Sequence, residues 1–242
     1  MIYPIRYYGD PVLKKKAARV TSFDDELVQL AQDMLETMYD ASGVGLAGPQ
    51  IGISKRIFVA LELGESDDEE DAEPKTREDK KRHWNVLNEH VMVNPEIISH
   101  SGEQFAQDGC LSLPGLFVED MKRHLEVHVR YQDVQGEHHD LTATGHFAHV
   151  IQHENDHLNG TLFFERLPSA EQRTFKATHR QELIEMQRQA KAFLRELKDQ
   201  AKKGQTNKDQ TNKGQTGKDQ TGKDQTGKDQ TGKDQVKDTA RV

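Results

Sequence analysis

The apolar residues of this chain fall into short stretches whose spacing changes from one to the next. Leu27, Leu30, Ala31, Met34, Leu35 and Met38 recur with the 3.6-residue period of a helix; Ser22 and Asp25 supply a capping-box-like start and Gly43 an end. Arg56-Ile-Phe-Val-Ala-Leu-Glu62 reads as a buried strand, and Val86 to Ile98 as another. Leu125, Val127, Val129 and Tyr131 alternate with His124, Glu126, His128 and Arg130, the pattern of a half-buried strand. Gly136 marks a turn into a further strand near His139 to Ala143, and Gly145 precedes a helix over His146 to Leu158. A last helix is expected within residues 168–203, with Phe175, Leu183, Met186, Ala190, Phe193 and Leu197 on one stripe. Short, mostly antiparallel strands around a central helix predict an α+β fold with a C-terminal helix.

Two stretches carry no such period. Between Glu65 and Arg82 there are nine acids and five bases and no periodic apolar residue, so residues 64–85 are expected to be an exposed strand-to-strand loop within a domain spanning 1–167. From Gln205 a five-residue unit repeats and settles into Gln-Thr-Gly-Lys-Asp. Five residues turn a helix about 140° beyond full turns, so repeated positions build no face. Without apolar side chains the unit cannot repay the entropy of ordering, and residues 204–242 are expected to be a disordered tail.

Composition then narrows the function. Hydrophobic residues are only 33% of the 242, a figure the tail dilutes; the remainder is an ordinary small domain able to bury a core. No run of about 18 apolar residues exists, which excludes a membrane-spanning helix. The N-terminus lacks the basic and apolar regions of a signal peptide, and the lone Cys110 fits a reducing compartment, so a cytoplasmic location is expected. The formal charge of −8 argues against a general DNA or RNA binder.

The sharpest chemistry is His153-Glu154-Asn155-Asp156-His157. Residues four apart on a helix lie about 40° apart in projection, so both imidazoles reach one ion, while Glu154 addresses a ligand of that ion. This is the H-E-x-x-H arrangement of metal-assisted hydrolysis, and it makes the expected helix 146–158 the central metal-binding helix. Such an ion takes three protein ligands and keeps one position open. A metzincin needs a histidine where Phe163 stands, which excludes that class. Cys110, in the turn-like Asp108-Gly-Cys-Leu-Ser-Leu-Pro114, is the stronger third donor; Glu171 or Glu182 would instead make the protein a zinc peptidase. A third segment, Gly43-Val-Gly-Leu-Ala-Gly-Pro-Gln50, lets backbone approach a substrate closely and offers the Gln50 amide to a developing oxyanion.

These three segments, in this order, resemble peptide deformylase. The family's G-x-G-L-A-A-P-Q run is matched by Gly43 to Gln50 with Gly48 for the second Ala. Its E-G-C-L-S is matched by Asp108 to Ser112 with Asp for Glu, and its Q-H-E-x-D-H by Gln152 to His157 in full. The resemblance spans about Met1 to Leu167. It implies an enzyme that removes the formyl group from N-formylmethionyl nascent peptides and releases formate. It further implies that Cys110, His153 and His157 bind the metal, that Glu154 is general base and acid, and that Gln50 and the Leu111 N–H stabilise the oxyanion. Gly45 would line the substrate cleft. The metal implied is Fe2+, with Zn2+ or Ni2+ substituting. In this chemistry a metal-bound hydroxide attacks the formyl carbon after Glu154 takes the water's proton.

Two departures carry expectations: Asp108 is one methylene shorter than Glu and finds Arg123 as partner, and Gly48 loosens its loop. The competing class is a deformylase-like protein that holds metal without turnover, against which the intact Glu154 stands. From Glu171 to Lys203 there are nine bases and five acids, a charge suited to transient association with the ribosome.

Overall fold

The computed structural model describes residues 1–65 and 76–215, from 203 onward as helical backbone only. Residues Met1–Glu196 form one unit and Leu197–Val242 a second. In the first, α1 (Asp25–Asp40) leads into β1 (Gly45–Ala47) and β2 (Ile57–Leu63). A connection containing α2 (Arg77–His83) follows, then β3 (Val86–Ser101), β4 (Gln104–Cys110), β5 (Leu113–Arg123), β6 (Glu126–Gln132) and β7 (His138–Thr144). Helices α3 (Gly145–Leu158), α4 (Ser169–Thr178) and α5 (Arg180–Gln215) close the chain. The strands make an antiparallel sheet in the order β1-β2-β3-β6-β7 and a separate β4-β5 hairpin.

The apolar run of β2 has a simple reason: both faces of the sheet are covered. Ile57, Val59 and Leu61 point to one side and pack with Leu27, Met34 and Met38 of α1. Phe58 and Ala60 point to the other and pack with Ala148, Ile151 and Leu158 of α3, beside Val127 and Val129 of β6. A third cluster joins Leu113 and Met121 of β5 to Phe163, Phe164, Phe175 and Leu183, which seats α4 and the start of α5. Helix α3 is thus held between the main sheet and the hairpin, and His153, Glu154 and His157 lie on it.

Four local expectations change. The N-cap of α1 is Asp24, whose Oδ1 accepts from the Leu27 N–H at 3.0 Å; Ser22 donates instead to Asp24. Leu125 is exposed, and the alternation becomes a strand only from Glu126. The connection 64–85 is more than a loop: Thr76 and Asp79 form a reciprocal capping box that starts α2, and ion pairs rather than an apolar stripe hold it. The C-terminal helix is broken at His179 into α4 and α5, and α5 continues to Gln215, twelve residues past the limit expected at Lys203. Extending a formed helix avoids the nucleation cost that a separate repeat would bear. The rest of the expected tail, 216–242, and residues 66–75 of the connection lie outside the described residues.

Candidate active site

Two successive turns of α3 present His153 and His157 on one face, with ring centroids 5.0 Å apart. Strand β4 ends at Cys110, and the hairpin turn delivers its Sγ to 3.1 Å from His157 Nε2. One donor atom from each of Cys110, His153 and His157 falls within 4.8 Å of the others, as a single ion requires. Second contacts set these donors. His153 gives its Nδ1 to Asp108 Oδ1 at 2.7 Å, which leaves Nε2 for a metal. The Ser112 N–H at 3.4 Å and Gln50 Nε2 at 3.6 Å both donate towards the Cys110 sulfur. The Nδ1 of His157 finds no partner among the described residues. A soft sulfur and two imidazoles so arranged fit a divalent transition metal.

A cavity of about 620 Å³ opens onto this cluster, and its walls include Gly45, Gln50, Cys110, Leu111, His153 and Glu154. Of the seven residues expected to hold the metal, act in catalysis or line the cleft, these six meet there, and His157 is one turn further along the helix of His153. Glu171 and Glu182 do not take part; both are exposed, on α4 and α5. Gln50 is oriented by its own loop: Oε1 accepts from the Ala47 N–H at 2.7 Å, so the amide NH₂ must face the Cys110 side. Glu154 is buried, its Oε2 has no partner among the described residues, and burial pushes its carboxyl up to about 7.

The electrostatics run deeper than the motif. Burial alone would push the Asp108 carboxyl up, but His153, His149 and Arg123 together hold it well below the carboxylate range. The same pairing raises His153 against the effect of its own burial. Arg123 donates to Asp108 from Nη2 at 2.8 Å and to Asp156 from Nη1 at 2.6 Å, and Asp156 also accepts from Arg166. His149, one turn before His153, brings Nε2 to 3.1 Å from Asp108. Sequence reasoning anticipated the Asp108–Arg123 pair but missed Asp156, Arg166 and His149. For Asp156 the signal was present, since it sits inside the motif itself.

The sequence profile described as polypeptide deformylase matches residues 2–173. A peptide deformylase of Thermus thermophilus is 46% identical over 197 residues, covering 81% of this chain and 98% of its own. The chain belongs to the polypeptide deformylase family. The crystal structure of a Thermus thermophilus deformylase superposes with a TM-score of 0.68 at 44% identity, over 78% of this chain and all of that one. A Met-Ala-Ser-bound deformylase from Acinetobacter baumannii superposes with a TM-score of 0.59 at 35% identity, over 69% of this chain and 99% of its own. Deformylases are metal-dependent hydrolases that remove the N-formyl group from polypeptides, and this is the activity of the chain. Among its described residues no helix is long and apolar enough to cross a membrane.

As a deformylase the chain departs from its family's motifs in two places. Asp108, though shorter than Glu, keeps both His153 and Arg123 within hydrogen-bond reach. Gly48 does not loosen its loop. A Cβ there would lie 2.7 Å from the Ile53 carbonyl oxygen and 2.9 Å from that of Lys55, so the backbone of 53–55 occupies the space a methyl would need.

Proposed function

We propose that the chain deformylates N-formylmethionyl nascent peptides in the cytoplasm, with Cys110, His153 and His157 holding Fe2+, which Zn2+ or Ni2+ replaces. The observation that carries this reading is the convergence of those three donors beside the buried Glu154. The Met-Ala-Ser bound by the Acinetobacter baumannii relative is a peptide with the methionine terminus that such a reaction releases. The ion, when bound, acts as a Lewis acid and lowers the pKa of water towards about 7.

The chain's own residues do the rest. Glu154, with a carboxyl poised near neutrality, takes the proton of the attacking water and returns one to the leaving amine nitrogen. Gln50 Nε2, oriented by Ala47, and the Leu111 N–H are the donors to the oxyanion that develops on the formyl oxygen. Gly45, having no side chain, leaves room for Glu154 and for the peptide along the cleft. Asp108 keeps the His153 ring from turning. The excess of bases over acids in Glu171–Lys203 supports transient docking to ribosomal RNA, which would weaken with salt.

The deciding experiment is formate release from a formyl-Met peptide by protein prepared anaerobically with ferrous iron. X-ray absorption should show metal–sulfur scattering that Cys110→Ser abolishes. Formate release without metal–sulfur scattering would remove Cys110 from the ligand set. Co-sedimentation with ribosomes at low but not high salt tests the docking.

A further inference from the structure

Helix α2 has no part in the chemistry above, yet it reaches the wall of the cavity. Lys80 directs Nζ to the Tyr39 carbonyl oxygen at 2.5 Å and to the Ser42 hydroxyl at 3.0 Å. Tyr39 stands in the last turn of α1, where the helix dipole is negative, and its carbonyl oxygen, which accepts from the Ser42 N–H at 3.0 Å, has a second lone pair for the ammonium. Ser42 follows with φ at +54°, a left-handed conformation that costs a serine energy and that its surroundings must hold. Ala41, Ser42, Gly43 and Val44 then line the same cavity as Glu154 and Cys110. A Cβ on Gly43 would lie 2.8 Å from the Leu111 side chain, so this wall is packed against the residue that follows Cys110.

Lys80 is itself held in place. Arg77 pairs with Glu36 of α1 and, through Nη2 at 2.8 Å, with Glu89 of β3. Trp84, just past the end of α2, stacks on Tyr39 with ring centroids 6.0 Å apart, and the Lys80 ammonium lies 5.7 Å from the Trp84 ring centroid. The connection between β2 and β3 thus returns a cation to the one turn of α1 that becomes cavity wall.

We infer that Lys80 is a positioning residue for substrate binding, tethering the Tyr39–Ser42 turn so that the Ala41–Val44 wall stays set against the bound peptide. The inference rests on the reading of this cavity as the formyl-peptide site. None of Cys110, His153, His157 and Glu154 touches Lys80, so the effect belongs to binding rather than to the chemical step.

The test is steady-state kinetics on formyl-Met peptides with the full-length, metal-loaded enzyme. Lys80→Met should raise KM by about 2–10-fold, the equivalent of one lost hydrogen bond, with kcat within about twofold of wild type. Lys80→Arg should restore KM. Lys81→Met, which removes a partner of Glu89 on the same helix without touching the turn, should leave KM unchanged. An unchanged KM in Lys80→Met, or an equal rise in Lys81→Met, overturns the inference. If Lys80→Met does not fold, Ser42→Ala, which deletes one of the two acceptors of Lys80 and leaves the Tyr39 carbonyl, should raise KM, and an unchanged value there overturns it equally. Failure of the wild type to release formate would instead strike the reading of the cavity.

Discussion

A Cβ placed on Gly45 would overlap Oε1 of Glu154 and lie 2.9 Å from its carboxyl carbon. The glycine of β1 and the acid of α3 therefore occupy one another's space, and the first motif of the sequence exists partly to admit the central residue of the third. Strand and helix meet at this point because α3 packs across β1 and β2, burying Ala47, Phe58 and Ala60 against Ala148 and Ile151.

Gly45→Ala should displace the Glu154 carboxyl by about an ångström while leaving the three metal donors in place. Turnover is expected to fall by about 10²-fold, the scale of such a misplacement. Metal content by elemental analysis should stay at the wild-type value, and a variant with wild-type kcat would show that Glu154 need not hold its position.

Glu154→Gln keeps the shape and removes the carboxyl proposed to carry the proton. The expected loss in kcat is about 10²–10⁴-fold with metal retained. Unchanged turnover in metal-replete protein would take the general base away from Glu154.

Arg123→Met removes the guanidinium that Asp108 and Asp156 share in a buried site, leaving Asp108 with His153 and His149 and Asp156 with Arg166. Removing one partner of a buried charge pair costs about 3–5 kcal/mol, so the urea midpoint should drop sharply. Metal affinity should fall as well, because Asp108 no longer holds His153 from a fixed place.

Gly48→Ala restores the residue of the family motif and should nonetheless destabilise this chain by about 1–3 kcal/mol, because the added methyl meets two backbone carbonyls that cannot rotate away. Thermal unfolding at matched metal loading measures it; a stabilised variant would mean that the 53–55 backbone yields.

Tyr39 gives a dependence on pH that involves none of Cys110, His153 and His157. Burial first, and then the neighbouring Glu89 carboxylate, raise its phenol well above the ordinary tyrosine value. Its folded form therefore keeps a proton that the unfolded chain gives up above about pH 10, and stability must fall as pH rises through that range. Tyr39→Phe should flatten the decline, and absorbance titration of the native protein should show Tyr39 among the tyrosines that resist ionisation, Tyr131 being another that burial raises.

What the sequence by itself determined is whatever depends on near neighbours. The helical period of α1, the buried run of β2 and the alternation of Val127 and Val129 follow from side chains whose spacing matches a backbone repeat. His153, Glu154 and His157 were legible for the same reason, since four residues of helix bring two imidazoles together without help from the rest of the fold. Tertiary structure decided what crosses between elements. The register of the β4-β5 hairpin carries Cys110 to His157, and the packing of α3 turns Asp156 towards Arg123 and His149 towards Asp108. Helix α2 was invisible because capping and ion pairs, rather than an apolar stripe, hold it, and Lys80 meets Tyr39 and Ser42 only when α1 lies alongside. Gly48 reads as a loosened loop in one dimension and is a close contact in three, because the space beside a glycine is filled by residues that no local pattern names.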